Sequence, residues 1–400
     1  MKYIISISII LLIILFSGCN KQSKYDSEDK NKLYLIDFEQ CIKTEQGLKI
    51  SEIADTIEYL ELKTPDDIII THISDINQVD DFLIIESNHQ AYKFTWDGEF
   101  VKKIGRNGQG PGEYSMIFNI SSDPIKKEII LSDSGQLLFY DYDGNFLRRK
   151  KWGSLFNIAF SNSVLWVSEF ANNTYKYIAF ALNDMGDTIV SIPNPLYGIK
   201  SRDEGTGGSI AKGLKMFYRH NGSLYLKGKE VNDTIYQLSG INKTPYVTIN
   251  MGKYKLPVEY EAWYSWDDFN KHGSRYWGIP IVAEDNRNLY LTALRYRDID
   301  GDNYRYNEEN FRYIVYDKEK RKGFVTKNKT DTKITDDILG DPPIWPRWIM
   351  NDYYMNIIEP YELLDEIRNG DYTLSPAFEK QLSGFEYGTN QLIVLCRRKK

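Results

Sequence analysis

One stretch of the chain occurs twice. Leu83-Ile84-Ile85-Glu86-Ser87, followed by Gln90, Phe94 and Asp97-Gly98-Glu99-Phe100-Val101, returns as Ile129-Ile130-Leu131-Ser132-Asp133, followed by Gln136, Tyr140 and Asp143-Gly144-Asn145-Phe146-Leu147. The offset is 46 at Ile84 and Ile130, at Gln90 and Gln136, at Asp97 and Asp143 and at Phe100 and Phe146 alike. Each copy reads as an apolar strand, a turn, an aromatic-rich strand, an Asp-Gly turn and a third strand. A period in the forties built from short strands is the unit of a β-propeller blade, which cannot bury both of its faces until neighbours stack on either side.

Weaker copies follow. Val164-Leu165-Trp166-Val167 precedes Ile178-Ala179-Phe180 and the turn Met185-Gly186-Asp187. Leu224-Tyr225-Leu226 precedes Thr234-Ile235-Tyr236-Gln237-Leu238, and Leu289-Tyr290-Leu291 precedes Phe311-Arg312-Tyr313-Ile314-Val315-Tyr316. Tyr353-Tyr354-Met355-Asn356 and Leu392-Ile393-Val394-Leu395 form a last unit. Six units predict an all-β, six-bladed propeller. The alternating segment Thr56 to Leu62 belongs to no unit of its own, so it is expected to complete the last blade and close the ring, leaving no sheet edge open. Start and stop signals predict short helices over Pro257 to Lys271, Pro360 to Arg368 and Ser375-Pro376 to Ser383, all as loop decorations.

Composition fits this plan. The chain has 400 residues with 30 Tyr, 18 Phe and 8 Trp, residue types that suit pleated surfaces. A net charge of −6 leaves no footprint for DNA or RNA, so nucleic acid is not an expected partner. Only 4 His and 3 Cys are available for metal or nucleophilic chemistry.

The N-terminus carries an address. Met1-Lys2, the apolar run Ile4 to Phe16 and Ser17-Gly18-Cys19 make a charged n-region, an h-region and a small-residue cleavage site. The run is too short to span a bilayer as a mature helix, which needs about 20 residues. Ser17-Gly18-Cys19 resembles the lipobox of bacterial lipoproteins, although Phe16 stands where Leu is usual. That resemblance implies lipidation of Cys19 and, with Asn20 next, an outer-membrane lipoprotein whose membrane face stays open. The expected organisation is a signal peptide over 1–18, a lipidated Cys and polar tether over 19–32, and the propeller over 33–400. Cys41 and Cys396 then stand near the two ends of the domain. A disulfide between them and two separate buried thiols are both open, the second being the simpler.

Gly105-Arg106-Asn107-Gly108-Gln109-Gly110-Pro111-Gly112-Glu113-Tyr114, with Ile53 to Tyr59, Asn232 to Tyr236 and Asp341 to Trp345, resembles the six-bladed β-propeller lipoproteins of unknown function. The likeness runs from about Ser51 to Leu395. It implies a fold and an envelope location and brings no catalytic residues with it.

Three constellations could carry chemistry. The glycine-rich run could form a backbone nest for an anion with Arg106 and Glu113, or a tight crossover between blades in which those two residues pair and Tyr114 packs; the crossover is favoured. Asp298, Asp300, Asp302 and Glu309 stand at positions 1, 3, 5 and 12 of a calcium-type loop, but Gly301 falls at position 4 and Asn303 at position 6, so a solvated acidic hairpin is favoured over calcium. Trp263, Tyr264, Trp266, Tyr276 and Trp277, with Trp345 and Trp348, are either packing residues or stacking platforms for a sugar or peptide. No metal-ligand spacing links the four His, and no Gly-x-Ser-x-Gly or His-Glu-x-x-His occurs. The expected function is that of a lipid-anchored envelope module that binds a glycan, a peptide or an envelope protein without catalysis. The alternative is a metal-dependent propeller hydrolase, lactonase or lyase.

Overall fold

The 46-residue repeat is one blade of a six-bladed ring. We describe residues 33–152, 155, 157–168, 175–198, 216–227, 233–257, 275–295, 310–327, 333–340, 342–369, 375–385 and 390–399 of a computed structural model. Leu33–Lys400 form one compact unit. Blade 1 is the antiparallel sheet Ile73–Val79, Phe82–Ser87, Gln90–Thr95 and Phe100–Ile104. Blade 2 repeats it as Asn119–Asp123, Glu128–Asp133, Gln136–Asp141 and Phe146–Lys151. Blade 3 comprises Asn157–Ser161, Val164–Ser168, Tyr177–Leu182 and Thr188–Pro193.

Blades 4 and 5 each gain a fifth strand from the N-terminal segment. Phe217–His220, Ser223–Leu226, Thr234–Ser239 and Asn242–Asn250 make blade 4, and Tyr34–Asp37 lies parallel against the last of them. Trp277–Glu284, Asn288–Arg295, Phe311–Asp317 and Lys322–Thr326 make blade 5, with Glu45–Gln46 parallel at its rim. Between these additions runs helix α1, Phe38–Lys43, capped by Asp37, whose side chain accepts from the Gln40 amide. Blade 6 combines Trp348–Met350, Tyr353–Ile358 and Leu392–Arg398 with the N-terminal strand Ala54–Glu61. That last strand pairs antiparallel with Leu392–Arg398, so the ring is closed as expected. Helices α2, Pro360–Arg368, and α3, Pro376–Leu382, occur where the sequence placed them; the helix expected over 257–271 lies almost wholly outside the described residues.

Strand periodicity fills the ring. Successive side chains of a strand point to opposite faces, so Ile84 enters the core between blades 1 and 2 while Leu83 and Ile85 enter the core between blades 6 and 1. The repeat copies this: Ile129 and Leu131 face blade 1, and Ile130 faces blade 3. Trp166, Leu224 and Leu238 fill the space between blades 3 and 4. Tyr225, Val247 and Leu291 fill the next, together with Tyr34 and Phe38. Tyr290, Tyr354 and Val394 fill the one between blades 5 and 6. Each fully buried aliphatic or aromatic side chain contributes about 1.5–3 kcal/mol.

The Asp-Gly turns also dock one blade on the next. At Gly98, φ is 84° and a Cβ would stand 2.2 Å from the Glu61 carbonyl oxygen, at the end of the closing strand. At its repeat mate Gly144, with φ 77°, a Cβ would stand 2.5 Å from the Ile104 Cδ1 methyl of blade 1. Only glycine permits both the left-handed backbone and that approach. Among the described residues, no helix is long and apolar enough to cross a membrane.

Candidate functional site

The innermost strands of all six blades surround an axial cavity of about 600 Å³. In blades 1 to 3 their sequences mix apolar and polar residues because the two sides of each strand meet different surroundings. Ile76, Ile120 and Ile158 take equivalent places, opposite Ile85, Leu131 and Val167, and are buried between blades. The residues just before them, Asp75, Asn119 and Asn157, line the cavity.

Hydrogen bonds between blades hold this wall in shape. Asn77 Nδ2 donates to the Ile120 carbonyl at 3.3 Å, and Asn119 Oδ1 accepts from the Ile158 amide at 3.1 Å. Arg219 reaches from blade 4 to the Phe160 carbonyl at 2.6 Å and the Ser122 carbonyl at 3.4 Å. On the far side Arg347 donates to the Ser74 carbonyl at 3.3 Å, and Trp348 Nε1 to Asp75 Oδ1 at 3.3 Å. The wall is therefore pre-formed, which lowers the ordering cost of binding.

Buried charge is concentrated between blades 4 and 5. Glu284 is fully enclosed, and its carboxylate accepts from Tyr218 at 2.9 Å, from Tyr246 and from the Lys318 ammonium at 2.7 Å. His220 Nε2 lies 3.9 Å from the same carboxylate. Burial holds the His220 pKa below its ordinary value, outweighing the pull of Glu284, so the ring is neutral at pH 7. Burial, reinforced by the Glu284 charge, pushes the phenol of Tyr218 well up. With its lone pairs engaged by two phenols and an ammonium, Glu284 is an anchor rather than an open base. In blade 1, burial and then the charge of Asp75 push Glu86 up to about 8. Arg219 is lowered by burial, against the favourable fields of Tyr142 and Asp123.

The residues singled out from the sequence have separate fates. Arg106 and Glu113 lie on the crossover between blades 1 and 2, where Arg106–Asn107 pairs parallel with Glu113–Tyr114. Arg106 Nε is 2.6 Å from Glu113 Oε1, and Glu113 Oε2 accepts from the Gly110 amide at 2.8 Å. The chain's own carboxylate thus fills the turn that could have cradled an anion, and Tyr114 is fully buried beneath it. Trp277 corrects the stacking-platform expectation: it is 5% exposed in the core between blades 4 and 5, against Phe38 and the guanidinium of Arg295. Trp345 is likewise buried, donating to Thr292 at 2.9 Å, whereas Trp348 borders the axial cavity. Cys41 and Cys396 are unbonded and buried in two different cores, which decides between the two readings of the thiols. Cys19, Trp263, Tyr264, Trp266, Asp298, Asp300, Asp302 and Glu309 lie outside the described residues. Among the described residues no three His, Cys, Asp or Glu side chains gather as metal ligands would.

Asn77, Asn119, Asn157, Arg219 and Arg347 are the wall residues that sequence reasoning missed, whereas Trp348 was among its candidate platforms. The signal was present at one remove: a half-polar segment precedes each apolar strand of the repeat.

A family model described as a domain of unknown function (DUF4934) matches residues 33–397. Among solved structures, a candidate exported protein from Bacteroides fragilis is similar at a TM-score of 0.66 and 18% identity, covering 92% of this chain and 100% of that one. A DUF4221-family member from Bacteroides vulgatus is similar at a TM-score of 0.51 and 12% identity, covering 86% and 97%. At these identities the likeness is one of fold. No functionally curated protein matches.

Proposed function

The chain belongs to the family of the domain of unknown function DUF4934, and from its propeller ring we propose that it is a binding module of the cell envelope whose recognition site is the axial cavity. The observation that carries this reading is the cavity wall itself. Six blades contribute amide, hydroxyl, guanidinium and aromatic groups to one concave surface of about 600 Å³, within the range of small-ligand sites. Such a wall offers hydrogen-bond donors, acceptors and ring faces, the equipment for a glycan or a peptide. Its enclosed acid, Glu284, is held by Lys318 and two phenols, which suits an anchoring role rather than that of an open base.

The envelope address rests on Met1-Lys2, the apolar run to Phe16 and Ser17-Gly18-Cys19, and similarity to a candidate exported protein agrees with it. In this reading Cys19 carries the lipid, residues 20–32 tether the ring, and the anchor lies in the outer membrane. The mass of the mature protein tests this: Cys19→Ala must abolish the diacyl adduct.

Binding is tested on the protein from Asn20 onward, which contains the whole ring. A ligand at 100 times its Kd stabilises the fold by about 2.7 kcal/mol, a visible rise in melting temperature. One class among panels of oligosaccharides and peptides is expected to give that rise, and Asn157→Trp, which fills part of the cavity, is expected to abolish it. Turnover of the ligand, or a rise that survives Asn157→Trp, overturns the proposal.

A further inference from the structure

We infer that the axial cavity holds its ligand by a carboxylate seated on Arg219. The inference rests on the proposal that this cavity is the binding site and adds the charge of what enters it. Arg219 extends from the innermost strand of blade 4 and borders the cavity. One of its nitrogens, Nη2, is committed to the carbonyls of Phe160 and Ser122. Among the described residues, Nε and Nη1 have no hydrogen-bond partner and no carboxylate stands at ion-pair distance; Asp123 acts on the guanidinium only through space. A partly buried guanidinium fixed by two backbone carbonyls is held rigid with Nε and Nη1 left to donate, and guanidinium N–H groups match oxyanions in both charge and geometry.

The other charges around the wall are answered. Glu284 has Lys318 at 2.7 Å, Asp80 has Lys127 at 3.2 Å, and Arg398 has Asp352 at 3.8 Å. Asp75 accepts from Trp348 and Asn77, with Arg347 bonded to the adjacent Ser74 carbonyl. His220 is neutral at pH 7. The buried Asp123 carboxylate, with no ion pair of its own among the described residues, acts on Arg219 through space, so the free Nε–H and Nη1–H groups suit one added negative charge and no more, which fits a monoanion. A phosphate dianion would add more negative charge than Arg219 balances, in a cavity already bordered by Asp75. A carboxylate fits the count, and the amides of Asn119 and Asn157 and the ring of Tyr218 remain for the rest of the ligand.

The carboxylate can belong to a sugar acid or to a peptide C-terminus, and titration calorimetry of the protein from Asn20 onward separates the two. The acids are sodium glucuronate and acetyl-alanyl-alanine; their neutral counterparts are glucose and acetyl-alanyl-alanine amide; inorganic phosphate is the competing oxyanion. One acid is expected to bind at least tenfold more tightly than its neutral counterpart. Arg219→Met is expected to weaken that acid at least tenfold and its neutral counterpart by a clearly smaller factor. Because Arg219 also braces blades 2 and 3, Asn157→Asp provides a second variant: it keeps the side-chain shape, adds a negative charge to the same wall, and should weaken the acid by a larger factor than its neutral counterpart. Equal binding of acid and neutral counterpart, or binding of phosphate alone, overturns the carboxylate and leaves the cavity as a site. Binding by none of these probes overturns the carboxylate too, while a melting rise from the oligosaccharide and peptide panels would still uphold the cavity; silence from those panels as well removes both.

Discussion

Lys318 holds its ammonium 2.7 Å from Glu284, with the carboxylate wholly enclosed and the Lys318 side chain 5% exposed. The pair joins the end of the innermost strand of blade 5 to the turn after its third strand, and the phenols of Tyr218 and Tyr246 bring blade 4 onto the same carboxylate. Removing one partner of a buried pair strands the other charge, at a cost of about 3–5 kcal/mol. Lys318→Met should therefore lower the urea midpoint by that order. The double variant Lys318→Met with Glu284→Gln should recover most of the loss, because no charge is left unpaired. A single variant that unfolds at the wild-type midpoint would mean that water reaches the pair.

Glu86 gives the fold a pH dependence of definite sign. Burial, with the Asp75 charge behind it, raises the carboxyl from an ordinary value near 4.5 to about 8. The folded state thus holds this proton more tightly than the unfolded state does. The contribution is complete below about pH 4.5 and is lost as pH rises towards 8. Glu86→Gln removes the titration, so its stability should gain on the wild type across that window, on the order of a few kcal/mol at its upper end, read as a rising melting temperature relative to the wild type. Parallel melting curves for the two proteins from pH 5 to pH 9 would show that water already solvates Glu86.

The parts of the ring legible in the sequence are those where one environment acts on a whole strand. Leu83 to Ile85 and its copy Ile129 to Leu131 are flanked by cores on both faces, so they are unbroken apolar triplets and the repeat stands out. The closing strand Ala54–Glu61 was readable for a related reason, since it alternates and has no turn partner of its own. The innermost strands hide from that logic. Ile73–Val79 reads Ile-Ser-Asp-Ile-Asn-Gln-Val because one side packs and the other borders the cavity, and such a mixture resembles a loop. The candidate site is consequently the least legible part of the chain. Its wall gathers Asp75, Asn119, Asn157, Arg219, Glu284 and Trp348 from six blades, and no local spacing links them. Trp277 misled for the opposite reason: an aromatic in an aromatic-rich stretch looks the same in sequence whether it faces solvent or, as here, Phe38.

The crossover between blades 1 and 2 tolerates little change. Gly105, at φ 65°, would put a Cβ 2.5 Å from the Tyr140 hydroxyl, which donates to the Gly112 carbonyl at 2.9 Å. Gly105→Ala combines left-handed strain with that clash and should cost about 2 kcal/mol or more. Glu113→Gln acts more gently, removing the Arg106 pairing while keeping an acceptor for the Gly110 amide. The Gly110 amide, and then Arg106, hold the Glu113 carboxyl below its ordinary range, so its contribution is present near neutrality and fades as the solution is acidified. Denaturation midpoints for both variants check the order, with Gly105→Ala the lower; the reverse order would place the strength of the crossover in the ion pair.

The two buried cysteines give a chemical readout of ring closure. Cys41 on α1 packs in the core between blades 4 and 5, at the spot where Gly323 leaves room for its sulfur, and burial pushes its thiol up to about 12. Cys396 sits opposite Ile57 of the closing strand in the core between blades 5 and 6, and burial raises its thiol as well. A thiol is nucleophilic only as thiolate, so both are shielded by pKa and by burial. In the protein from Asn20 onward, Ellman's reagent should find no fast-reacting thiol in the native state and two after guanidinium chloride unfolds it. Dithiothreitol should leave the melting temperature unchanged. Replacing Leu60, which pairs with Ile393 in the closing sheet, by Asp should loosen the closing strand and speed the labelling of Cys396 ahead of Cys41. Equal labelling rates in that variant would mean that the ring opens as a whole rather than at the seam formed by its first and last strands.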